Sequence, residues 1–329
     1  MTGPLILAIP SKGRLKEQAE DWLADCGLPV RASGGERGYA ARLDGLADIE
    51  VRLISAGEIA GALFAGEVHL GVTGEDLLRE LADDLGGRVM LMQALGFGRA
   101  DLVVAAPRSW IDVETMADVD EIAHLFLART GRRLRVATKY LTQTRAFFAR
   151  HGVTDYRIVE SGGATEGAPA AGAAELITDI TTTGATLAAN GLKMLADGLI
   201  LSSQAQLAAA LTAAWDAPQR VVARQLLRIL EGRARARRTA ALTWPQSADD
   251  AAETALAALV AAGAKPQPHG VLVVAGQVFA AASALAGAGV GPVTVAHPTY
   301  VFEPISQAME ELEARLAGET DGGVNIIRA

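Results

Sequence analysis

Glu175-Leu-Ile-Thr-Asp-Ile-Thr-Thr-Thr-Gly-Ala-Thr-Leu-Ala-Ala-Asn190 carries an apolar strand into one acid, Asp179, and then into a hydroxyl-rich loop around Gly184. A helix is expected directly after the loop, with Leu187, Leu192 and Leu195 on its apolar positions. Such a strand–loop–helix corner suits a phosphate monoester. The backbone N–H groups of Thr183 to Thr186 would face outward at a helix N-terminus, whose partial positive charge favours an anion. The threonine hydroxyls add donors, and Gly184 lets the backbone come close to the phosphate. Asp179 is an acceptor, suited to sugar hydroxyls or a metal-bound water and not to the phosphate itself. The stretch reads as a ribose 5-phosphate cradle, with a simple capped turn as its structural alternative.

Outward from this corner, strands and helices alternate, which argues for an α/β architecture. Strands are expected at 5–9, 49–54, 68–72, 101–106, 134–138 and 156–160, and helices at 15–26, 58–65 and 143–151. Residues 112–132 read as a mostly helical decoration. Several strand ends carry polar or glycine residues: Ser11-Lys-Gly, Thr73-Gly, Thr138-Lys, Glu160-Ser-Gly and Asp179 with its threonines. Ligands of open parallel sheets bind at the carboxyl ends of the strands, so these ends point to one composite cleft. A junction is expected near 236–239. Beyond it a second βα series has strands at 240–244, 271–274 and 293–296.

Composition narrows the classes. The 329 residues can bury a large core, and half are apolar, yet no uninterrupted apolar run approaches a membrane span. The short apolar stretch near the N-terminus lacks a preceding basic region, so a first strand is expected there and no signal peptide. Cys26 alone cannot form an internal disulfide and fits a reducing cytoplasm. A net charge of −8 argues against broad nucleic-acid affinity, although a local pocket can be positive on an acidic protein. The five histidines, His69, His124, His151, His269 and His297, show no metal-ligand spacing.

The run from Glu160 through Asn190, Glu-Ser-Gly-Gly-Ala-Thr-Glu-Gly-Ala-Pro followed by the corner above, resembles the signature of ATP phosphoribosyltransferases, the first enzymes of histidine biosynthesis. Three shorter motifs of that family stand in the same order: Lys12-Gly-Arg-Leu15, Gly71-Val-Thr-Gly-Glu-Asp76 and Ala137-Thr-Lys-Tyr140. Departures occur at Glu58, Ala60, His69 and Leu141, all expected on the wall of the nucleotide site. The resemblance implies an α/β fold with a two-lobed catalytic unit like that of periplasmic binding proteins, followed by a small C-terminal α/β domain. Lobe I would hold 1–95 and 184–236, lobe II 96–183, and the C-terminal domain 237–329. Longer family members end in a ferredoxin-like regulatory domain that binds histidine. Shorter ones depend on a separate subunit resembling histidyl-tRNA synthetase. The tail matches that regulatory domain poorly in sequence. A homo-oligomer, dimer or hexamer, is implied, with no nucleic-acid or membrane partner.

The chemistry that the resemblance implies is attack of adenine N1 of ATP on the anomeric carbon of phosphoribosyl pyrophosphate, with Mg²⁺ carried by the substrate and no direct protein ligand. Thr182, Thr183, Gly184, Ala185 and Thr186 would hold the 5-phosphate. Asp179 and Glu160 would take the ribose hydroxyls and share catalysis with Lys12. Ser11, Lys12, Gly13 and Arg14 would face pyrophosphate or the ATP triphosphate, together with Thr73, Gly74, Asp76, Lys139 and Tyr140. Structural readings stand beside these. Lys12 and Arg14 can be a solvated helix start, Glu160 a loop cap, Asp76 a first-turn acid, Lys139 surface and Tyr140 core. Glu166 has a structural or a catalytic reading. The rival functions are a nucleotide-salvage phosphoribosyltransferase and a non-enzymatic two-lobed binding protein. The first normally carries two adjacent acids where Thr178-Asp179 stands.

Overall fold

The computed structural model describes residues 3–32, 40–82, 84–245 and 250–318. The chain divides into two compact units. One runs to Gln219 and resumes at Glu311; the other is Arg220–Glu310.

The first unit is built on two sheets. Lobe I contains β1 (Leu5–Pro10), α1 (Gly13–Asp25), β2 (Val30–Ala32), β3 (Ala40–Leu43), β4 (Ile49–Ile54), α2 (Ala56–Ala65), β5 (Leu70–Gly74), α3 (Glu75–Leu81) and β6 (Val89–Ala94). Lobe II contains β7 (Ala100–Pro107), α4 (Met116–Thr130), β8 (Leu134–Thr138), α5 (Leu141–Arg150), β9 (Tyr156–Glu160), β10 (Leu176–Thr181), α6 (Ala185–Ala189) and β11 (Leu192–Ser203). The chain then returns to lobe I as β12 (Ala205–Ala210). The sheet orders are β2-β3-β4-β1-β5-β12-β6 and β11-β7-β10-β8-β9. β1 runs parallel to β4 and β5, and β8 parallel to β9 and β10, so the carboxyl ends of these strands lie together in each lobe.

Three expectations are corrected here. The helix after the phosphate loop ends at Ala189, because Gly191 adopts a left-handed conformation (φ +71°) that stops it. Leu192 and Leu195 therefore belong to β11, where both are buried. β11 pairs with β7 from Leu192↔Pro107 to Ser203↔Ala100, so the chain leaves lobe II at Gln204 and not at 184. β12, Ala-Gln-Leu-Ala-Ala-Ala, has no strand signal in sequence, since alanine is poor in strands. It is nevertheless fully buried between β5 and β6, where small side chains fit beneath α2.

The two crossings lie side by side. Leu95 N–H donates to the Ala205 carbonyl at 2.9 Å, and Ala205 N–H to the Phe97 carbonyl at 3.0 Å. Gly98 adopts φ +63°, a conformation that strains any residue with a side chain, and a Cβ there would meet Leu15 Cδ1 at 2.9 Å.

The second unit begins at 220, upstream of the expected 237. It holds most of α7 (Ala217–Arg238), then β13 (Thr239–Thr243), α8 (Asp250–Ala261), β14 (Lys265–Gln267), β15 (Gly270–Val274), α9 (Val278–Gly287) and β16 (Thr294–Ala296), followed by the start of α10 (Gln307–Leu316). The sheet order β14-β15-β13-β16, antiparallel throughout, is the ferredoxin-like βαββαβ arrangement. Ala240, Leu242, Val271 and Val273 bury one sheet face against Ala281 and Leu285 of α9. Residues 319–329 of the expected tail domain lie outside the described residues.

Candidate active site

The cleft forms where the strand ends meet. A cavity of about 550 Å³ is lined by Arg14 and Leu15 of α1, Gly74, Asp76 and Leu77 after β5, the outgoing crossing Gly96–Arg99, Lys139 and Tyr140 after β8, and Ile180 and Thr182 after β10. A second cavity of about 380 Å³ shares Arg99, Ala100 and Thr182 and adds Asp101, Thr181, Ser202, Ser203 and Gln204. Arg14, Arg99 and Lys139 are exposed and have no carboxylate partner among the described residues.

The threonine loop after β10 is shaped by a residue that the sequence does not single out. Thr181 Oγ1 accepts the Gly184 N–H at 2.9 Å, folding the loop back so that Gly184 takes φ +73°. The Gly184 N–H is thereby occupied, in contrast to the outward-facing donor expected from sequence. Thr182, Thr183, Ala185 and Thr186 are exposed, and of these Thr182 lines both cavities.

Asp179 is half-buried on β10, where its Oδ1 accepts the Ile180 N–H at 2.8 Å. Burial pushes its carboxyl above the usual range, and the Glu166 charge adds to this. The Ile180 N–H and the Lys139 ammonium pull the other way. Lys139, Asp179 and Glu166 are thus electrostatic neighbours. Glu160 is exposed at the end of β9, opposite Thr138. The acid brought towards Asp179 is Glu166.

Other expected nucleotide contacts serve the frame. Thr73 is fully buried and donates from Oγ1 to the Ala56 carbonyl at 2.7 Å, so it faces no ligand. Asp76 and Tyr140 touch the cavity but are buried and committed to each other: Tyr140 Oη donates to Asp76 Oδ2 at 2.7 Å. Ser203 Oγ donates to Asp76 Oδ1 at 2.8 Å and accepts the Asp76 N–H at 3.0 Å. Gln143 Nε2 donates to the Asp76 carbonyl at 2.9 Å, and Glu80 accepts the Thr142 N–H at 2.8 Å. Lobe I is therefore tied to the first turn of α5 and to the end of β11. Gly74 lines the cavity as the residue before α3, and a Cβ there would collide with the Asp76 carboxylate.

Ser11, Lys12 and Gly13 form the turn from β1 into α1, with the Ser11 N–H donated to the Ile54 carbonyl at 2.9 Å. They do not line the cavity; Arg14, one residue on, does. The unusual Glu58 caps α2, its carboxylate accepting the Ser55 N–H at 2.8 Å. His69 lies away from the cleft. Its Nδ1 accepts the Ile6 N–H, Nε2 donates to the Ala214 carbonyl, and the ring meets Trp215 edge-on. Both departures are thus local structural solutions.

Sequence reasoning missed Arg99, Thr181 and the return crossing Ser202–Gln204. Glycines on both sides of Phe97, just before a strand, were the available signal for a chain crossing that presents its next residue, Arg99.

Similarity to known proteins agrees with this geometry. The ATP phosphoribosyltransferase family model matches residues 55–232. The ATP phosphoribosyltransferase of Caulobacter vibrioides is 63% identical over 316 residues, covering 96% of this chain and 99% of the relative. That of Bradyrhizobium sp. is 48% identical over 323 residues, with the same shares covered. The ATP phosphoribosyl transferase (HisG:HisZ) complex from Thermotoga maritima contains a chain with a TM-score of 0.53 and 25% identity. The match covers 69% of this chain and 96% of that one. The chain described here belongs to the ATP phosphoribosyltransferase family.

Proposed function

We propose that this chain transfers the phosphoribosyl group of phosphoribosyl pyrophosphate to adenine N1 of ATP, giving phosphoribosyl-ATP and pyrophosphate in the first step of histidine biosynthesis. The observation that supports the reading is that Thr182, the first exposed residue of the threonine loop that follows Asp179, lines a cleft together with Arg14, Arg99 and Lys139.

The adenine N1 lone pair forms the new bond to the anomeric carbon while the C1–O bond breaks and its electron pair leaves on pyrophosphate. The nucleophile needs no proton removed first, so the protein's task is alignment and charge stabilisation. Thr182, Thr183, Ala185 and Thr186 offer hydroxyls and backbone groups to the 5-phosphate, with Gly184 allowing close approach. α6 is a single short turn, so these local donors matter more than a helix dipole. Asp179 takes the ribose hydroxyls and, when ionised, faces the positive charge that develops on the ring. Glu166 joins it from the glycine-rich loop, and Glu160 is retained at the rim. Arg14 and Lys139 meet the ATP triphosphate, with Lys12, Ser11 and Gly13 at the edge. Among the described residues no group of three or more His, Cys, Asp or Glu is placed to hold a metal. Magnesium would arrive on the diphosphate and screen its charge.

The ferredoxin-like second unit supports feedback control by histidine within this chain. A synthetase-like subunit is the other regulator to test, since the Thermotoga neighbour is described as a complex. Among the described residues no helix is long and apolar enough to cross a membrane; a cytoplasmic homo-oligomer is part of the proposed reading. Purified chain incubated with ATP, phosphoribosyl pyrophosphate and magnesium should form phosphoribosyl-ATP and lose activity as histidine is titrated. No product with or without a synthetase-like subunit would overturn the reading.

A further inference from the structure

Arg99 has no counterpart among the residues expected at the site, yet it lines both cavities. Its backbone is held where the two crossings meet. Gly96 N–H donates to Gln204 Oε1 at 3.2 Å, Ala205 N–H donates to the Phe97 carbonyl, and Gly98 packs against Leu15. The Arg99 carbonyl accepts Thr182 Oγ1 at 3.4 Å, which sets this residue directly beside the first threonine of the exposed loop. The guanidinium is exposed and has no carboxylate partner among the described residues. The smaller cavity is otherwise rich in hydroxyls and amides, from Thr181, Thr182, Ser202, Ser203 and Gln204.

We propose that Arg99 binds the pyrophosphate group of phosphoribosyl pyrophosphate and stabilises it as it departs; this rests on the transferase reading above. A planar guanidinium presents paired donors that match two oxygens of a diphosphate. Negative charge grows on the leaving oxygen as the C1–O bond breaks, so a guanidinium bonded to that group contributes more in the transition state than in the ground state. The Arg99 backbone stands beside Thr182 of the 5-phosphate loop, and its long side chain can reach across one ribose to the diphosphate on C1. Asp101 lies on the same wall, and its carboxylate repels a bare diphosphate. The group that fits is therefore the magnesium complex, in which the metal offsets that charge.

Calorimetric titration of the full chain with pyrophosphate, with and without magnesium, and separately with ribose 5-phosphate, tests this in wild type, Arg99→Gln and Arg99→Lys. Arg99→Gln should weaken magnesium pyrophosphate binding by about tenfold or more, the scale of a lost charge-assisted hydrogen bond. Ribose 5-phosphate binding should not change. In turnover, kcat should fall while the KM for ATP stays near wild type, and Arg99→Lys should recover part of the loss. Unchanged pyrophosphate binding in Arg99→Gln overturns the proposal, as does an equal loss for both ligands, which would mean a disturbed phosphate loop. If wild type turns over while Arg99→Gln is unaffected, only the Arg99 assignment fails. If wild type, with or without a synthetase-like subunit, neither binds pyrophosphate nor forms product, the transferase reading fails with it.

Discussion

Tyr140 and Asp76 lie in different lobes, and the 2.7 Å hydrogen bond from Tyr140 Oη to Asp76 Oδ2 is buried. Burial and the neighbouring Asp76 charge both push the Tyr140 phenol strongly upward, so it stays protonated and keeps donating at every physiological pH. The pair acts as a latch between α3 and the start of α5, and Ser203 completes it from the end of β11.

Tyr140→Phe removes the donor and leaves a buried carboxylate with one partner fewer. Loss of about 1–3 kcal/mol of stability is expected, the desolvation cost of such a group. Equilibrium urea unfolding measures it. A variant as stable as wild type would mean that water replaces the phenol and that the latch carries no weight.

Asp179 is expected to act ionised. Its carboxyl is raised by burial, so the acidic limb of the kcat/KM profile should lie above the usual carboxylate range. The same raised value means that Asp179 favours the folded state more at low pH, a contribution lost as pH rises through its folded pKa. Asp179→Asn should cut turnover sharply and remove that limb; retention of both activity and limb would assign the ribose role elsewhere.

Gly184→Val places a β-branched residue at φ +73°, where the backbone strain is about 1–2 kcal/mol or more. The loop should open and bind phosphoribosyl pyrophosphate much more weakly, while ATP binding changes little. Equal losses for both substrates, read from separate titrations, would make the loop a structural element.

His69 is held neutral by burial, with Nδ1 as acceptor and Nε2 as donor, and its pKa lies below the ordinary 6.5. A depressed histidine contributes stability that is present above 6.5 and is lost as pH falls through the folded value. Wild type should therefore lose more stability than His69→Gln between pH 7.5 and about pH 5.5. Parallel thermal unfolding curves for the two proteins would sink the assignment.

Much of the site was legible because its signals are local. The strand, acid and Thr-Gly loop from Leu176 to Thr186 are set by apolar alternation, hydroxyl caps and one left-handed glycine, all within a few residues. The strands 134–138 and 156–160 likewise declare themselves through β-branched and apolar runs, and the structure places them as β8 and β9 over those residues.

Long-range packing decided the rest. Asp76 in a Gly-Glu-Asp turn reads only as a candidate ligand or a first-turn acid until the fold brings Tyr140, Gln143 and Ser203 to it, which makes it an interlobe latch on the wall of the cavity. Ala205–Ala210 has weak strand propensity and becomes a strand because it pairs antiparallel with β5 on one side and β6 on the other. Arg99 is marked in sequence only by the glycines around Phe97, and its place at the site follows from two crossings more than a hundred residues apart meeting at Phe97 and Ala205. The sequence by itself determined the strand–loop–helix corner at 176–186, the alternation of strands and helices and the family. Only the tertiary structure decided which acids and cations share a cavity, because electrostatic partnership depends on distance in space and periodicity along the chain carries no record of it.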